Sequence, residues 1–244
     1  MYREAVSTWN YQEEYTGKSW AEKSVKAAIR TNWENYHYCL GHSASVELSI
    51  GHYLTWLMTD LPDYFMNLVV CNQLPAEGAD ELIEGALAHF KSINIRKLSW
   101  LAQEGVPAGE MDKALLAHGL KFREAFATEM AIDLSSLPEN LPLLSGLRIV
   151  TVARGDSLRQ WIHIASIGFG IRPELEQVWY DFFADAAFDP RFQTFLALLD
   201  GKPVGTSQLF LSGGVAGIYN VTCIPEARGQ GIGSAITLAP LLRA

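Results

Sequence analysis

The stretch Val215-Ala216-Gly217-Ile218-Tyr219-Asn220-Val221-Thr222-Cys223-Ile224-Pro225-Glu226-Ala227-Arg228-Gly229-Gln230-Gly231-Ile232-Gly233-Ser234 reads as strand, glycine loop and helix in succession. Val215 to Ile224 is apolar and β-branched and stops at Pro225, and an apolar helical pattern resumes only at Ile232. The glycines therefore fall between a strand and a helix N-terminus. Gly229, Gly231 and Gly233 let the backbone turn sharply and approach a ligand closely, while the unpaired N–H groups of the first helical turn present the positive end of the helix dipole. Such a loop is an anion site, and a pyrophosphate suits it. A P-loop is excluded because no Lys-Ser or Lys-Thr pair follows the glycines. A dinucleotide fingerprint is poor, since the spacing is Gly-x-Gly-x-Gly and the chain stops before an acidic residue ~20 positions later.

The segment Arg228-Gly229-Gln230-Gly231-Ile232-Gly233 has the Arg/Gln-x-x-Gly-x-Gly/Ala form, and with the preceding Val-Thr-Cys-Ile-Pro-Glu-Ala it resembles the fourth strand and loop of the GCN5-related N-acetyltransferases, the GNAT family. The resemblance implies that Arg228, Gly229, Gln230, Gly231, Ile232, Gly233 and Ser234 bind the pyrophosphate of acetyl-CoA. It implies further that the backbone of Val221, Thr222 and Cys223 pairs with the pantetheine like an added strand, one N–H there polarising the thioester carbonyl.

Outward from the loop, the order upstream agrees with that fold. Leu147 to Ala153 predicts a strand, Asp156 caps a helix carrying Leu158, Trp161 and Ile162, and Glu174 to Ala187 predicts a second helix. Phe192 to Leu199 and Val204 to Leu211 are strands joined at Asp200-Gly201. Leu134 to Gly146, with Pro138 and Pro142, reads as a linker. Further back, a helix is expected from Ser19 through Tyr38 with Trp20, Val25, Ala28, Ile29 and Trp33 on its packed face. Then follow an extended Val46 to Thr59, a strand at Phe65 to Cys71, a helix from near Ala76, a strand at Lys97 to Ala102, a helix from Gly109 to Ala117 and a strand at Phe126 to Leu134.

This alternation repeats the strand and helix order of a GNAT unit, but Glu77, Asp80 and Glu81 stand at its helix start and would repel a phosphate. The expected class is α/β (α+β), with mixed central sheets flanked by helices in two tandem GNAT-like units. These are a degenerate amino-terminal unit at 1–137, a linker at 138–146 and an acyl-CoA-binding unit at 147–244. By comparison with the family, the second unit is incomplete, lacking its last strands and helix. An open strand edge is then expected, which a second copy of the chain would cover in a homodimer.

Composition sets the bounds. The 244 residues are 49% hydrophobic and 19% charged, with no apolar run near the ~20 residues that span a bilayer and no secretory leader at Met1 to Val6. A cytoplasmic protein without membrane attachment is expected. Nineteen basic against 27 acidic residues give −8, which argues against nucleic acid as a partner. Cys39, Cys71 and Cys223 and six scattered histidines show no metal-ligand spacing, so no metal is expected.

The resemblance implies direct transfer of an acetyl group from acetyl-CoA to a primary amine, on a small molecule or a peptide, in a ternary complex. The family's usual acid, a tyrosine in a later helix, has no counterpart here. Tyr219 and Asn220 are the weak candidates for chemistry near the acceptor, although strand alternation sends them to opposite faces. Trp161 and Trp179 are core residues first and acceptor-pocket residues second. The alternative is a non-catalytic acyl-CoA-binding or regulatory module.

Overall fold

The computed structural model describes residues 22–62, 64, 66–75, 77–102, 108–121, 130–137, 144–186 and 189–243. It is a mixed α/β structure of two four-stranded sheets, β1-β2-β3-β4 and β5-β6-β7-β8, flanked by helices. The first sheet is mixed and the second wholly antiparallel.

Helix α1 runs Glu22–Leu40. Its deepest face is Ala28, Asn32, Tyr36, Cys39 and Leu40, successive turns of one stripe, and not the aromatic face expected around Trp33, which is only half-buried. Two of those buried residues are polar, which is why an apolar stripe did not reveal them. Trp20 lies outside the described residues. Strands β1 (Val46–Ile50) and β2 (Leu54–Thr59) form an antiparallel hairpin where one extended run was expected, because Gly51 turns the chain and its N–H bonds the Leu54 carbonyl at 3.0 Å. Strand β3 (Leu68–Cys71) pairs parallel with β4 (Ser99–Ala102), and α2 (Ala79–Ser92) makes the crossover between them, burying Ile83, Ala86 and Phe90. Helix α3 (Ala108–Ala117) follows. The strand expected at Phe126 to Leu134 falls partly outside the described residues. Its described end carries no strand, and Leu134–Ser136 is one 3-10 turn. Asp133 decides this locally, since its carboxylate accepts from the Ser135 N–H at 2.9 Å and competes with any ladder.

In the carboxy-terminal half, β5 (Leu147–Thr151) leads to α4 (Asp156–Phe169). Asp156 does not cap α4 as expected. Gly155, at φ 88, holds the cap position, and Asp156 lies in the first turn, where its charge still favours the dipole. A 3-10 turn at Pro173–Leu175 runs into α5 (Glu176–Ala186). Strands β6 (Phe192–Leu199) and β7 (Lys202–Ser212) join through Asp200 and Gly201, both at positive φ as a two-residue hairpin turn requires. Among the described residues strand β8 (Val215–Cys223) is the sheet's edge, and a 3-10 turn at Pro225–Ala227 leads to α6 (Ile232–Leu241).

The two faces of this sheet have different covers. Leu196 belongs to a cluster with Trp161, Phe182, Phe183 and Phe210 beneath α4 and α5, joined by Tyr36 and Leu40 from α1. Its neighbour Ala197 belongs to a second cluster with Val204, Cys223, Ile232 and Ile236 beneath α6. Trp161 and Trp179 are thus core residues. Helix α1 crosses from the first half to lie on β7 and β8.

Pro240 neither kinks α6 out of the fold nor ends it at once, for a reason that lies in β7. Proline has no N–H to donate, so the Ile236 carbonyl loses its partner one turn ahead, and the buried Ser207 hydroxyl donates to it instead at 2.7 Å. Replacing Ser207→Ala leaves that carbonyl unsatisfied and should cost about 1–3 kcal/mol in urea unfolding. Adding Pro240→Ala restores an N–H and should recover much of the loss; a double variant no more stable than Ser207→Ala would contradict this account.

Candidate acyl-CoA site

The site is built at the junction of β8 and α6. Gly229 and Gly231 take φ 73 and 79, the left-handed region, and Gly231 is the N-cap of α6 with no side chain capping the helix. The first N–H groups of α6 have no intrahelical partner, so their donors and the dipole converge on the loop. A Cβ added at Gly229 or Gly233 would meet nothing within 4 Å, and one at Gly231 meets only Leu144 Cδ1 at 3.7 Å. Gln230, Gly231 and Ser234 are exposed around this open cradle, whereas Ile232 is buried and anchors the helix to the core. The residues present therefore suit a phosphate-bearing ligand held by main-chain donors.

The other helix start behaves differently. Gly78 is left-handed at the N-cap of α2, but Asp80 and Glu81 already occupy its first turn.

The side chains of the loop are committed to carbonyls. Arg228 Nε donates to the Cys223 carbonyl and Nη2 to the Gly168 carbonyl, each at 3.1 Å, so Arg228 ties the end of α4 to the end of β8. Gln230 Nε2 donates to the Glu226 carbonyl at 3.2 Å. Gly168 is where α4 approaches closest: a Cβ there would sit 2.8 Å from Thr222 Cβ and closer still to its hydroxyl and methyl. Cys223 is buried, and burial pushes its thiol above the ordinary range, with Arg228 opposing. It remains a protonated core residue.

Strand β8 carries a bulge. Thr206 pairs with Thr222 and Gln208 with Tyr219, so Asn220 and Val221 together face the single Ser207. Asn220 is left-handed at φ 52, and its carbonyl accepts from Thr206 Oγ1 at 2.8 Å. The bulge overturns the alternation expected for Tyr219 and Asn220. Both side chains reach α1, Tyr219 Oη donating to Asn32 Oδ1 at 2.7 Å and Asn220 Nδ2 donating to Tyr36 Oη at 2.9 Å. Burial drives both tyrosine hydroxyls far above their ordinary range, although the bond from Asn220 opposes this for Tyr36. Both are neutral donors at physiological pH.

Three of the six histidines pair with carboxylates elsewhere: His89 with Glu47 at 2.6 Å, His118 with Asp80 at 3.2 Å and His163 with Glu176 at 3.0 Å. Among the described residues no group of three metal-ligating side chains forms, and no helix is long and apolar enough to cross a membrane. Sequence reasoning missed Asn32, Tyr36, Gln208 and Gly168; only the polar i, i+4 pair of Asn32 and Tyr36 on an otherwise packed helix stripe offered a signal.

Residues 157–239, from the start of α4 almost to Pro240, match the profile of the Acetyltransferase (GNAT) family. Two solved structures resemble the chain at greater length. One is a GCN5-related N-acetyltransferase from Kribbella flavida, 18% identical, with a TM-score of 0.61 over 89% of this chain and 80% of that one. The other is a conserved protein of unknown function from Staphylococcus epidermidis, 15% identical, with a TM-score of 0.54 over 82% and 80%. At these identities they show a shared fold. No curated protein matches the sequence.

The close approach at Gly168 makes a simple test. Gly168→Ala should lower unfolding stability by about 1–3 kcal/mol, because the added methyl must displace Thr222 and with it β8. Gly85→Ala, in the exposed interior of α2 where a Cβ meets nothing, should instead raise stability by about 0.5–1 kcal/mol. Equal effects in urea titrations would contradict the packing described.

Proposed function

We propose that this protein is an acyl-CoA-dependent N-acetyltransferase acting on a primary amine of a small molecule or peptide. The observation that carries the reading is the uncapped start of α6, with its left-handed glycines and open cradle, at the exit of an edge strand. The pyrophosphate of acetyl-CoA would lie on the N–H groups of Gly229 to Ser234, with Arg228 and Gln230 contributing charge and polarity from beside the loop. The unpaired edge of β8 at Val221, Thr222 and Cys223 would bond the pantetheine as an added strand does. Acetyl-CoA supplies the activated acyl group: the amine nitrogen forms the new bond to the carbonyl carbon, the carbon–sulfur bond breaks, and the proton lost by the amine balances the one gained by the thiolate. Backbone donors at the bulge would stabilise the carbonyl oxygen as charge develops.

In this reading 147–244 is the acyl-CoA-binding unit, 138–146 the linker, and 1–137 a degenerate GNAT-like unit in tandem. Asp80 and Glu81 in the first turn of α2 support the degeneracy, since their charges would repel an anion there. The open edge of β8 would also serve a homodimer, and the expected location is the cytoplasm.

A second reading, a non-catalytic acyl-CoA binder, is favoured by one observation: Tyr219 and Asn220, the nearest side chains with chemistry to offer, are both engaged by α1. Acetyl-CoA binding and turnover with a panel of amines separate the two. The chain should bind acetyl-CoA in calorimetry, and Gly231→Glu, which puts a carboxylate where the pyrophosphate would lie, should weaken binding at least about a hundredfold. Binding that survives this substitution, or its absence in the unaltered chain, would contradict the site; binding without turnover of any amine would favour the second reading.

A further inference from the structure

Asn220 holds a left-handed backbone, φ 52, within an edge strand. A residue with a side chain keeps such a conformation only where its surroundings impose it. Those surroundings come largely from α1, more than 180 positions away in sequence. Asn220 Nδ2 donates to Tyr36 Oη at 2.9 Å and to Gln208 Oε1 at 3.1 Å, Tyr36 Oη donates to the same Gln208 oxygen at 3.0 Å, and Gln208 Nε2 donates to Thr194 Oγ1 at 3.1 Å. The first three bonds close a triangle. The Tyr36 ring stacks on Tyr219 with centroids 3.9 Å apart and 13° between planes. One turn earlier, Asn32 accepts from Tyr219 and donates to the carbonyls of Phe210, Ser212 and Val215, fastening both strands of the β7–β8 hairpin beside its turn to the same helix.

The bulge turns Asn220 and Val221 out of the regular ladder with β7. It includes Val221 and lies directly before Thr222 and Cys223, where the acyl end of the ligand would meet the strand. We propose that Tyr36 and Asn32, on the helix supplied by the amino-terminal half, are positioning residues that hold the β8 bulge in its left-handed form and thereby aim the backbone donors that receive the acyl carbonyl. This inference rests on the acyl-CoA reading above for its functional half and on geometry alone for its structural half. The amino-terminal half is then part of the acyl site, whatever remains of its own ancestral one.

Tyr36→Phe tests this, because it keeps the stacked ring and removes one corner of the triangle. Asn220 chemical shifts of Cα and Cβ report the left-handed conformation directly, and calorimetry compares acetyl-CoA with CoA, which shares every group except the acyl one. In Tyr36→Phe the shifts should leave the left-handed range and acetyl-CoA affinity should fall about five- to tenfold, while CoA affinity changes less than about twofold. Asn220→Gly adopts positive φ without support. In that background Tyr36→Phe should change acetyl-CoA affinity less than about twofold relative to Asn220→Gly alone. Unchanged Asn220 shifts in Tyr36→Phe, or equal losses for acetyl-CoA and CoA, would overturn the proposal. If the unaltered chain binds neither ligand, the acyl-CoA reading and the functional half fall together, and the shift comparison still decides whether α1 holds the bulge.

Discussion

One extra residue in strand β8 constrains most of what surrounds it. With Asn220 and Val221 opposite the single Ser207, the strand bends and twists where it leaves the ladder, and both neighbouring layers adapt to the result. On one face the Ser207 hydroxyl turns to the Ile236 carbonyl that Pro240 leaves without a donor, locking α6 against β7. On the other, Tyr219 and Asn220 both turn toward α1 and are received by Asn32 and Tyr36. A regular strand would send those two side chains to opposite faces. Beyond the bulge, Arg228 bridges the carbonyls of Cys223 and Gly168 and brings the ends of α4 and β8 together beside the glycine loop.

Gly78 and Gly231 both take the αL conformation at the N-cap of a helix that follows a strand, and the residues after them carry different charge. Gly78 opens α2 before Asp80 and Glu81, whose charges complement the dipole in its first turn, although no side chain caps that helix either. Gly231 opens α6 before Ile232, Gly233 and Ser234, none of which is acidic, and no side chain caps the helix. The first turn thus carries negative charge within the chain and the second carries none. The GNAT match of residues 157–239 contains the second turn and not the first.

What was legible in the sequence was what short-range chemistry dictates. The β-branched run to Ile224, the proline that stops it and the glycines before Ile232 predicted β8, its exit and α6, and Asp200-Gly201 predicted the β6–β7 hairpin. Elements that depend on one side chain's competition with the backbone were misread: Gly155 and not Asp156 starts α4, and Asp133 folds its neighbours into a turn where a strand was expected. The bulge left no pattern at all, since a left-handed asparagine in an apolar run looks like any strand residue. Asn32 and Tyr36 were passed over because their partners are in β7 and β8, and burial of a polar group becomes intelligible only once its hydrogen bonds are known. The two carbonyl bonds of Arg228 were not legible either, since they depend on the close approach of α4 at Gly168.

The central claim is that an acyl-CoA lies along the outer edge of β8 with its pyrophosphate on the start of α6. Amide chemical-shift mapping during an acetyl-CoA titration tests it most directly. The account predicts that the largest perturbations fall at residues 221–223 and 229–234, with the amides at the start of α2 near Asp80 and Glu81 unmoved. Perturbations centred on α2, or spread without preference for the β8 edge and the glycine loop, would contradict it.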